Sequence, residues 1–152
     1  MIQEICTDPI FLGRKAEPAT PADLAVAQDL VDTLTAHKEG CVGMAANMIG
    51  VNKRIIIFDN DGSYCVMFNP TILKATRPYE TEEGCLSLPD KWGVTDRPET
   101  VCVRALDRNG KEFTVTASGL GARAFCHELD HLEGVLFTDN ALRMLSPEEL
   151  EN

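Results

Sequence analysis

The sequence predicts an α+β fold in which antiparallel or mixed sheets pack around a C-terminal helix carrying an HExxH pattern, with a further helix near the N-terminus. The prediction depends on the order of the patterns: a helical segment, several short strand segments, then a second helical segment, without regular strand–helix alternation. The chain has 152 residues, the usual length of one domain, so we expect a single domain over residues 1–152.

The N-terminal helix is predicted to begin at Thr20, whose hydroxyl suits the N-cap, with Pro21 at the first helical position and Asp23 three residues past the cap. Apolar side chains recur at intervals of three and four residues and predict one buried stripe: Leu24, Ala27, Val31 and Leu34. We expect this helix to end at Glu39–Gly40 and to pack against a sheet. The segment before it is predicted to be irregular.

Three short segments rich in β-branched or aromatic residues predict strands, each followed by turn residues: Arg54–Asp59, Tyr64–Asn69 and Val101–Leu106. The turns are predicted at Asn60-Asp61-Gly62, at Asn69-Pro70 and at Asp107-Arg108-Asn109-Gly110. Asn109-Gly110 stands between the third segment and Glu112–Thr116, which indicates a tight hairpin. At least part of the sheet should therefore be antiparallel.

The composition excludes several classes of partner. The formal net charge of −10 repels phosphate backbones and anionic lipids, so we expect neither nucleic-acid nor membrane binding. The first residues, with Glu4 and Asp8, lack the basic start and apolar core of a secretory signal, which favours the cytoplasm. The six cysteines form no CxxC pair and should remain thiols there.

The most informative segment is His127-Glu128-Leu129-Asp130-His131, within the second predicted helix. Residues four apart lie on one helix face, so both imidazoles can bind one ion. Glu128 can then act as general base toward a water on that ion. An exposed face that merely happens to hold two histidines is the weaker interpretation, because the chain has only three histidines.

Two histidines leave a metal site incomplete. Phe137 stands where one class of metalloproteases has its third histidine, and a phenyl ring cannot coordinate a metal. Upstream, Cys85 follows Gly84, and a thiolate is a strong ligand that such a site could use. Taken alone, Cys85 is better explained as a buried thiol, so the residues by themselves leave the third ligand open.

Three segments together resemble the signature motifs of peptide deformylases in order and approximate separation: Gly43-Met44-Ala45-Ala46, Glu83-Gly84-Cys85-Leu86-Ser87 and the His127–His131 segment. The resemblance covers nearly the whole chain. It implies a hydrolase that removes the formyl group from the N-terminal formyl-methionine of nascent proteins, with formate and a free amine as products.

The resemblance also implies a set of site residues. Cys85, His127 and His131 would hold one divalent ion, usually Fe²⁺ and replaceable by Zn²⁺ or Ni²⁺, and Glu128 would be the general base. The backbone N–H of Leu86 would stabilise the negatively charged oxygen that develops during the reaction. Substrate peptide would bind along three further residues, namely Val42, Gly43 and Gly84.

Two positions depart from the family's first motif, GxGxAAxQ. Cys41 replaces its first glycine and Met48 its glutamine, an oxyanion donor whose loss costs a factor of about 10²–10³ in rate. We therefore expect a slow enzyme unless Asn47 or a water replaces that donor, and Asn47 is disfavoured. The departures leave two alternatives open: another metal-dependent amidase or peptidase on this scaffold, or a non-catalytic peptide-binding paralogue, which the retained Glu128 disfavours.

Two weaker expectations also follow from the resemblance. Arg97 matches an arginine that pairs with the aspartate of the histidine motif, here Asp130, although a surface arginine is an equally good interpretation. Some relatives end in a basic helix that helps them find the ribosome. The acidic segment from Ser146 to Glu151 is compatible at most with a short helix, so ribosome docking by that route is doubtful.

Overall fold

The computed structural model describes residues 1–39 and 41–146, and more of them belong to strands than to helices. The acidic segment 147–152 lies outside the described residues, and so does the helix considered for it. The helices are α1 (Pro9–Leu12), α2 (Leu24–Ala36), α3 (Leu120–Leu132) and α4 (Phe137–Asn140). The strands are β1 (Gly43–Ala45), β2 (Ile55–Asn60), β3 (Ser63–Ala75), β4 (Pro78–Cys85), β5 (Leu88–Pro98), β6 (Thr100–Leu106), β7 (Glu112–Ser118) and β8 (Arg143–Met144).

The strands form two sheets, and every strand pair in them is antiparallel. The larger sheet has the order β1-β2-β3-β6-β7, and the smaller one has the order β4-β5-β8. β1 and β4 are therefore edge strands among the described residues. The predicted α+β class is confirmed, because helices and antiparallel sheets are segregated along the chain.

α3 contacts both sheets, through β1, β2 and β7 of the larger sheet and β5 of the smaller. Small residues such as Ala122 and Ala124 are buried and allow close packing, and the Phe125 ring meets the edge of the Phe58 ring. α3 also buries His127, Glu128 and His131, and buried polar groups need partners or a function. No helix in the described part of the chain is both long and apolar enough to span a bilayer.

The start of the N-terminal helix is as predicted, but its end is not. Thr20 and Asp23 form a capping box around a 3₁₀ turn that leads into α2. α2 ends at Ala36 with His37 as its C-cap, before the predicted Glu39–Gly40. The buried stripe also differs: Leu30 is fully buried, whereas Leu24, the first residue of the helix, is 45% exposed. A short helix, α1, precedes α2 where irregular chain was expected.

The predicted turn at Asn69-Pro70 is wrong, because β3 continues through it. Asn69 has φ +54°, and the pairing of β3 with β6 shifts register between Phe68 and Thr71, which marks a bulge. Proline donates no ladder hydrogen bond, and a bulge accommodates it within a strand. The predicted hairpin is confirmed, since β6 and β7 pair in antiparallel register, but residues 107–111 connect the two strands, so the turn is longer than the predicted tight turn.

Candidate metal centre and active site

Two elements bring three metal-ligating side chains together. His127 and His131 lie one turn apart on α3, and their Nε2 atoms are 3.2 Å apart. Cys85 ends β4, and its Sγ lies 3.4 Å from Nε2 of His131. One ligand atom from each of the three residues lies within 4.8 Å of the other two. Leu86, the predicted backbone donor, follows Cys85 in the turn between β4 and β5.

The spacing of these atoms fits a single metal ion. Around a tetrahedral ion with nitrogen ligands at ~2.0–2.1 Å and sulfur at ~2.3 Å, neighbouring ligand atoms are about 3.3–3.6 Å apart. The separations of 3.2 Å between the imidazoles and 3.4 Å between sulfur and His131 agree with this geometry. The set of one thiol and two imidazoles suits a divalent transition metal.

A buried carboxylate that sequence reasoning missed orients His127. Nδ1 of His127 donates to Oε1 of Glu83 over 2.5 Å, which leaves Nε2 free to bind an ion. Glu83 also accepts a hydrogen bond of 2.6 Å from Thr95 and two of 2.7 and 2.8 Å from Arg97. In the sequence Glu83 begins the Glu83–Ser87 motif and follows another glutamate, Glu82, but no role was predicted for it. Only the fold shows that Glu82 is exposed and Glu83 buried.

Arg97 connects β5 to the metal-binding helix. Its Nη1 donates to Oδ2 of Asp130 over 2.7 Å, so the predicted pair is confirmed and the surface-arginine interpretation is wrong: Arg97 is 6% exposed. Burial opposes both charges of the Arg97–Glu83 pair. Their mutual hydrogen bonds and charges, together with those of His127 and Asp130, outweigh burial, so the pKa of Glu83 lies well below its usual range and the pKa of Arg97 is raised.

Glu128 is positioned to exchange a proton. It is 3% exposed, and burial raises the pKa of its carboxyl to about 7 against the opposing effect of His127. Its Oε1 is buried and has no hydrogen-bond partner among the described residues. β1 passes directly over this carboxylate, because a Cβ at Gly43 would lie 2.9 Å from Glu128 Oε2. A carboxyl with a pKa near neutrality suits a general base.

The pKa values of the two histidines are shifted in opposite directions. Burial lowers the pKa of His131 to about 3, and His127 adds to this effect, so the His131 ring is neutral and able to coordinate. Burial also opposes the charge on His127, but Glu128, Cys85 and Glu83 together raise its pKa. The acidic groups around His127 therefore favour a positive charge at this place, which either a proton on the ring or a bound cation would supply.

A cleft of about 480 Å³ leads to this centre. Its lining includes the three predicted substrate-binding residues Val42, Gly43 and Gly84, together with Trp92 and, from α3, Arg123, Ala124, His127 and Glu128. A Cβ at Gly84 would lie 2.8 Å from the Trp92 ring, so only glycine lets the indole cover this strand. Because β1 and β4 are edge strands, an extended peptide can pair with either of them.

The residues that depart from the deformylase motif have distinct surroundings. Met48 is buried, and its Sδ lies 3.5 Å from the backbone nitrogen of Ala45. Asn47 donates from its side-chain amide to the backbone oxygen of His131 over 2.8 Å, so it anchors α3. Cys41 lines the cleft and donates to the Gly43 oxygen over 2.9 Å, and burial raises the pKa of its thiol to about 12. Cys41 is therefore neutral at physiological pH.

Comparison with known proteins decides the family. The family model described as polypeptide deformylase matches residues 2–146 of the chain. The chain belongs to the peptide deformylase family. A peptide deformylase from Clostridium beijerinckii is 49% identical over 136 residues, covering 90% of this chain and 99% of the relative. One from Caldicellulosiruptor bescii is 43% identical over 144 residues, covering 93% and 86% respectively.

Solved deformylase structures have the same fold. The crystal structure from Thermotoga maritima matches with a TM-score of 0.84 and 30% identity, covering 93% of this chain and 98% of that one. The structure from Legionella pneumophila matches with a TM-score of 0.85 and 37% identity, covering 98% and 89%. Peptide deformylases are metal-dependent hydrolases that remove the formyl group from N-terminal methionine, so the leading hypothesis from the sequence is confirmed.

Proposed function

We propose that this deformylase binds one divalent ion through Cys85, His127 and His131 and uses Glu128 as its general base. The observation that carries the proposal is the convergence of the three ligand atoms within 4.8 Å, beside a buried carboxyl whose Oε1 has no partner in the described part of the chain. We assign Fe²⁺ to the site, with Zn²⁺ and Ni²⁺ as replacements, because one thiolate and two imidazoles suit all three ions.

Each residue has a separate role in the reaction. A bound divalent ion would supply Lewis acidity, which polarises the formyl oxygen and makes a water easier to deprotonate. Glu128 takes the proton from that water and later delivers it to the leaving amine nitrogen. The backbone N–H of Leu86 donates to the oxygen on which negative charge develops. Glu83 keeps the Nε2 atom of His127 directed at the ion by accepting from Nδ1.

The substrate peptide binds in the cleft in an extended conformation. An added strand could pair with the backbone at two places in the cleft. One is the start of β1, at Val42 and Gly43, and the other is Gly84 on β4 of the smaller sheet. A deformylase from Acinetobacter baumannii, 30% identical with a TM-score of 0.83, has been solved with Met-Ala-Ser bound, which supports the binding of a short peptide by this chain. The small formyl group can approach the ion where an acetyl methyl group would collide with the walls.

The proposal also covers the extent of the catalytic domain, its cellular compartment and its encounter with the substrate. We assign the whole chain, residues 1–152, to one catalytic domain that works on nascent chains in the cytoplasm, where formylated proteins are made. The net charge of −10 opposes direct binding to ribosomal RNA, so encounter with the substrate depends on the peptide rather than on the nucleic acid. Met48 supplies no hydrogen bond in place of the family's glutamine, and turnover is accordingly slow.

One assay tests this assignment. The protein is purified without oxygen, loaded with Fe²⁺, and given formyl-Met-Ala-Ser, acetyl-Met-Ala-Ser or unmodified Met-Ala-Ser. Formate release from the first peptide alone is the expected result. Cleavage of a peptide bond or of the acetyl group would contradict the assignment, as would peptide binding without any formate release at an occupancy of one metal per chain.

A further inference from the structure

The pairing of β1 with β2 shows which backbone groups of β1 face outward. The Asp59 N–H donates to the Val42 oxygen over 2.7 Å. The next pair in the register is Gly43 with Phe58. In an antiparallel ladder, hydrogen-bonded pairs alternate with pairs whose N–H and C=O groups point away from the partner strand. The Gly43 carbonyl therefore points to the side of β1 that has no partner strand in the described part of the chain.

Sulfur atoms cover this outward side of β1 at two places. The Cys41 thiol donates to the Gly43 oxygen over 2.9 Å. Two residues further along, the outward N–H of Ala45 donates to Sδ of Met48 over 3.5 Å. Cys41 and Met48 are also the two residues that depart from the family's first motif. A glycine in place of Cys41 has no side chain, so the carbonyl would have no donor from that position.

The Cys41 thiol can both cover this carbonyl and leave it. Burial raises the pKa of the thiol to about 12, so the sulfur keeps the proton that it donates. An S–H group is a weak donor, and rotation of the side chain to another staggered rotamer breaks its hydrogen bond. Cys41 is half-buried and lines the cleft, whereas Gly43 is buried. A molecule in the cleft therefore reaches the carbonyl only after the thiol has turned away.

The group best suited to replace the thiol is a backbone N–H of the substrate peptide. A peptide that adds a strand to β1 donates N–H groups to its outward carbonyls. Glu128 lines the same cleft, and its Oε2 lies 2.9 Å from where a Cβ of Gly43 would be. The Oε1 of Glu128 is buried and has no hydrogen-bond partner among the described residues. The covered carbonyl therefore lies beside the proposed general base.

We propose that the Cys41 thiol competes with the substrate peptide for the Gly43 carbonyl and thereby sets the affinity for substrate. The inference rests on the proposed function, since the peptide must enter the cleft as an added strand. Binding exchanges an S–H···O hydrogen bond for an N–H···O hydrogen bond. The thiol therefore weakens the binding of substrate and transition state alike, which raises KM and leaves kcat unchanged.

The test measures kcat and KM of the Fe²⁺-loaded enzyme with formyl-Met-Ala-Ser. Cys41→Ala removes the competing donor, so KM should fall about three- to tenfold, the effect of one typical hydrogen bond, while kcat stays within about twofold of wild type. Cys41→Ser keeps a donor, and a hydroxyl donates more strongly than a thiol, so its KM should equal or exceed that of wild type. Cys102→Ala is the control, because Cys102 is a half-buried cysteine of β6 that does not line the cleft.

Infrared spectroscopy of the S–H stretching band distinguishes competition from a merely structural role. In the Zn²⁺-loaded protein the proposed ligand Cys85 is a thiolate and contributes no S–H band. Addition of Met-Ala-Ser should shift one S–H band of the wild type to higher frequency, because the thiol loses its acceptor. The same shift should occur in Cys102→Ala and be absent from Cys41→Ala.

Three results would overturn the inference. One is a KM of Cys41→Ala within about twofold of wild type. Another is an equal decrease of KM in the alanine and serine variants, which would indicate crowding by the sulfur rather than competition for the carbonyl. The third is an S–H spectrum that saturating Met-Ala-Ser leaves unchanged. Absence of formate release from the wild type would instead refute the proposed function, and the infrared titration would still decide whether the peptide displaces the thiol.

Discussion

Gly43→Ala is the substitution whose effect follows most directly from the structure. The added Cβ would lie 2.9 Å from Oε2 of Glu128, 3.2 Å from its Cγ and 3.2 Å from the backbone oxygen of Ile57. Ordinary contacts between non-bonded heavy atoms are about 3.5–4.0 Å. The Ile57 oxygen belongs to β2, which pairs with β1, so it moves little. The Glu128 carboxylate must therefore move by roughly 0.5–1 Å.

The expected loss in kcat follows from that displacement of the carboxylate. Misplacing a catalytic group by about 1 Å can cost roughly 10²-fold in rate, so kcat should fall about 10- to 100-fold, equivalent to about 1.4–2.7 kcal/mol. Metal content should stay near one equivalent, because none of the three atoms nearest to the new methyl group belongs to Cys85, His127 or His131. Formate release from formyl-Met-Ala-Ser measures the rate, and metal analysis measures the occupancy.

Two further variants isolate the cause. Gly121→Ala is the matched control, because its Cβ would meet the side-chain Oδ1 of Asn60 at 3.1 Å, away from Glu128. Glu128→Asp shortens the displaced side chain, so its cost should be smaller in the Gly43→Ala background than in the wild type. Wild-type kcat in Gly43→Ala, or independent effects of the two substitutions, would refute the idea that β1 positions the carboxylate.

Three other predictions concern the same centre. Met48→Gln should raise turnover by tenfold or more if the missing donor limits the rate; an unchanged or lower kcat would show that the site compensates otherwise. Glu128→Ala should reduce formate release by at least 10²-fold while metal content stays near one equivalent, and loss of the metal would contradict its role as a base. In the metal-free protein, the depressed pKa of Glu83 means that its contribution to stability is complete above its unfolded pKa near 4.5 and declines as the pH falls below that value. Urea unfolding of wild type and Glu83→Gln between pH 3 and 7 should therefore converge toward low pH, and parallel curves would exclude a carboxylate contribution.

The chemistry of α3 could be predicted from the sequence because it depends on local spacing. His127 and His131 share a face at any site where the segment is helical, and the fold changes only what surrounds them. The hairpin between β6 and β7 was predictable for the same reason, since Asn109-Gly110 marks a turn between two strand segments, although the connection is longer than two residues. The Arg97–Asp130 pair required the family resemblance, because 33 residues of chain separate the two side chains.

The residues that the sequence did not reveal depend on pairing between distant strands. Glu83 accepts hydrogen bonds from His127 and Arg97 only because β4 and β5 form a hairpin that turns its side chain inward. The alternation in this hairpin includes charged and glycine residues, which conceals the pattern of a half-buried strand. The end of α2 and the bulge at Asn69 were also misjudged, because tertiary packing outweighs local turn preference.

The contacts that position the proposed metal ligands do not include Met48, the residue at the position of the family's oxyanion donor. Glu83 and Arg97 tie His127 and the helix to the smaller sheet, and removing one partner of such a buried pair leaves an uncompensated charge. Met48 lies outside that network: its side chain packs in the core, and its Sδ lies against the Ala45 N–H. Replacement of the family's glutamine by methionine therefore removes a donor without disturbing the ligands. Family membership therefore defines the reaction, and the Met48→Gln variant tests whether the rate depends on the donors around the formyl oxygen.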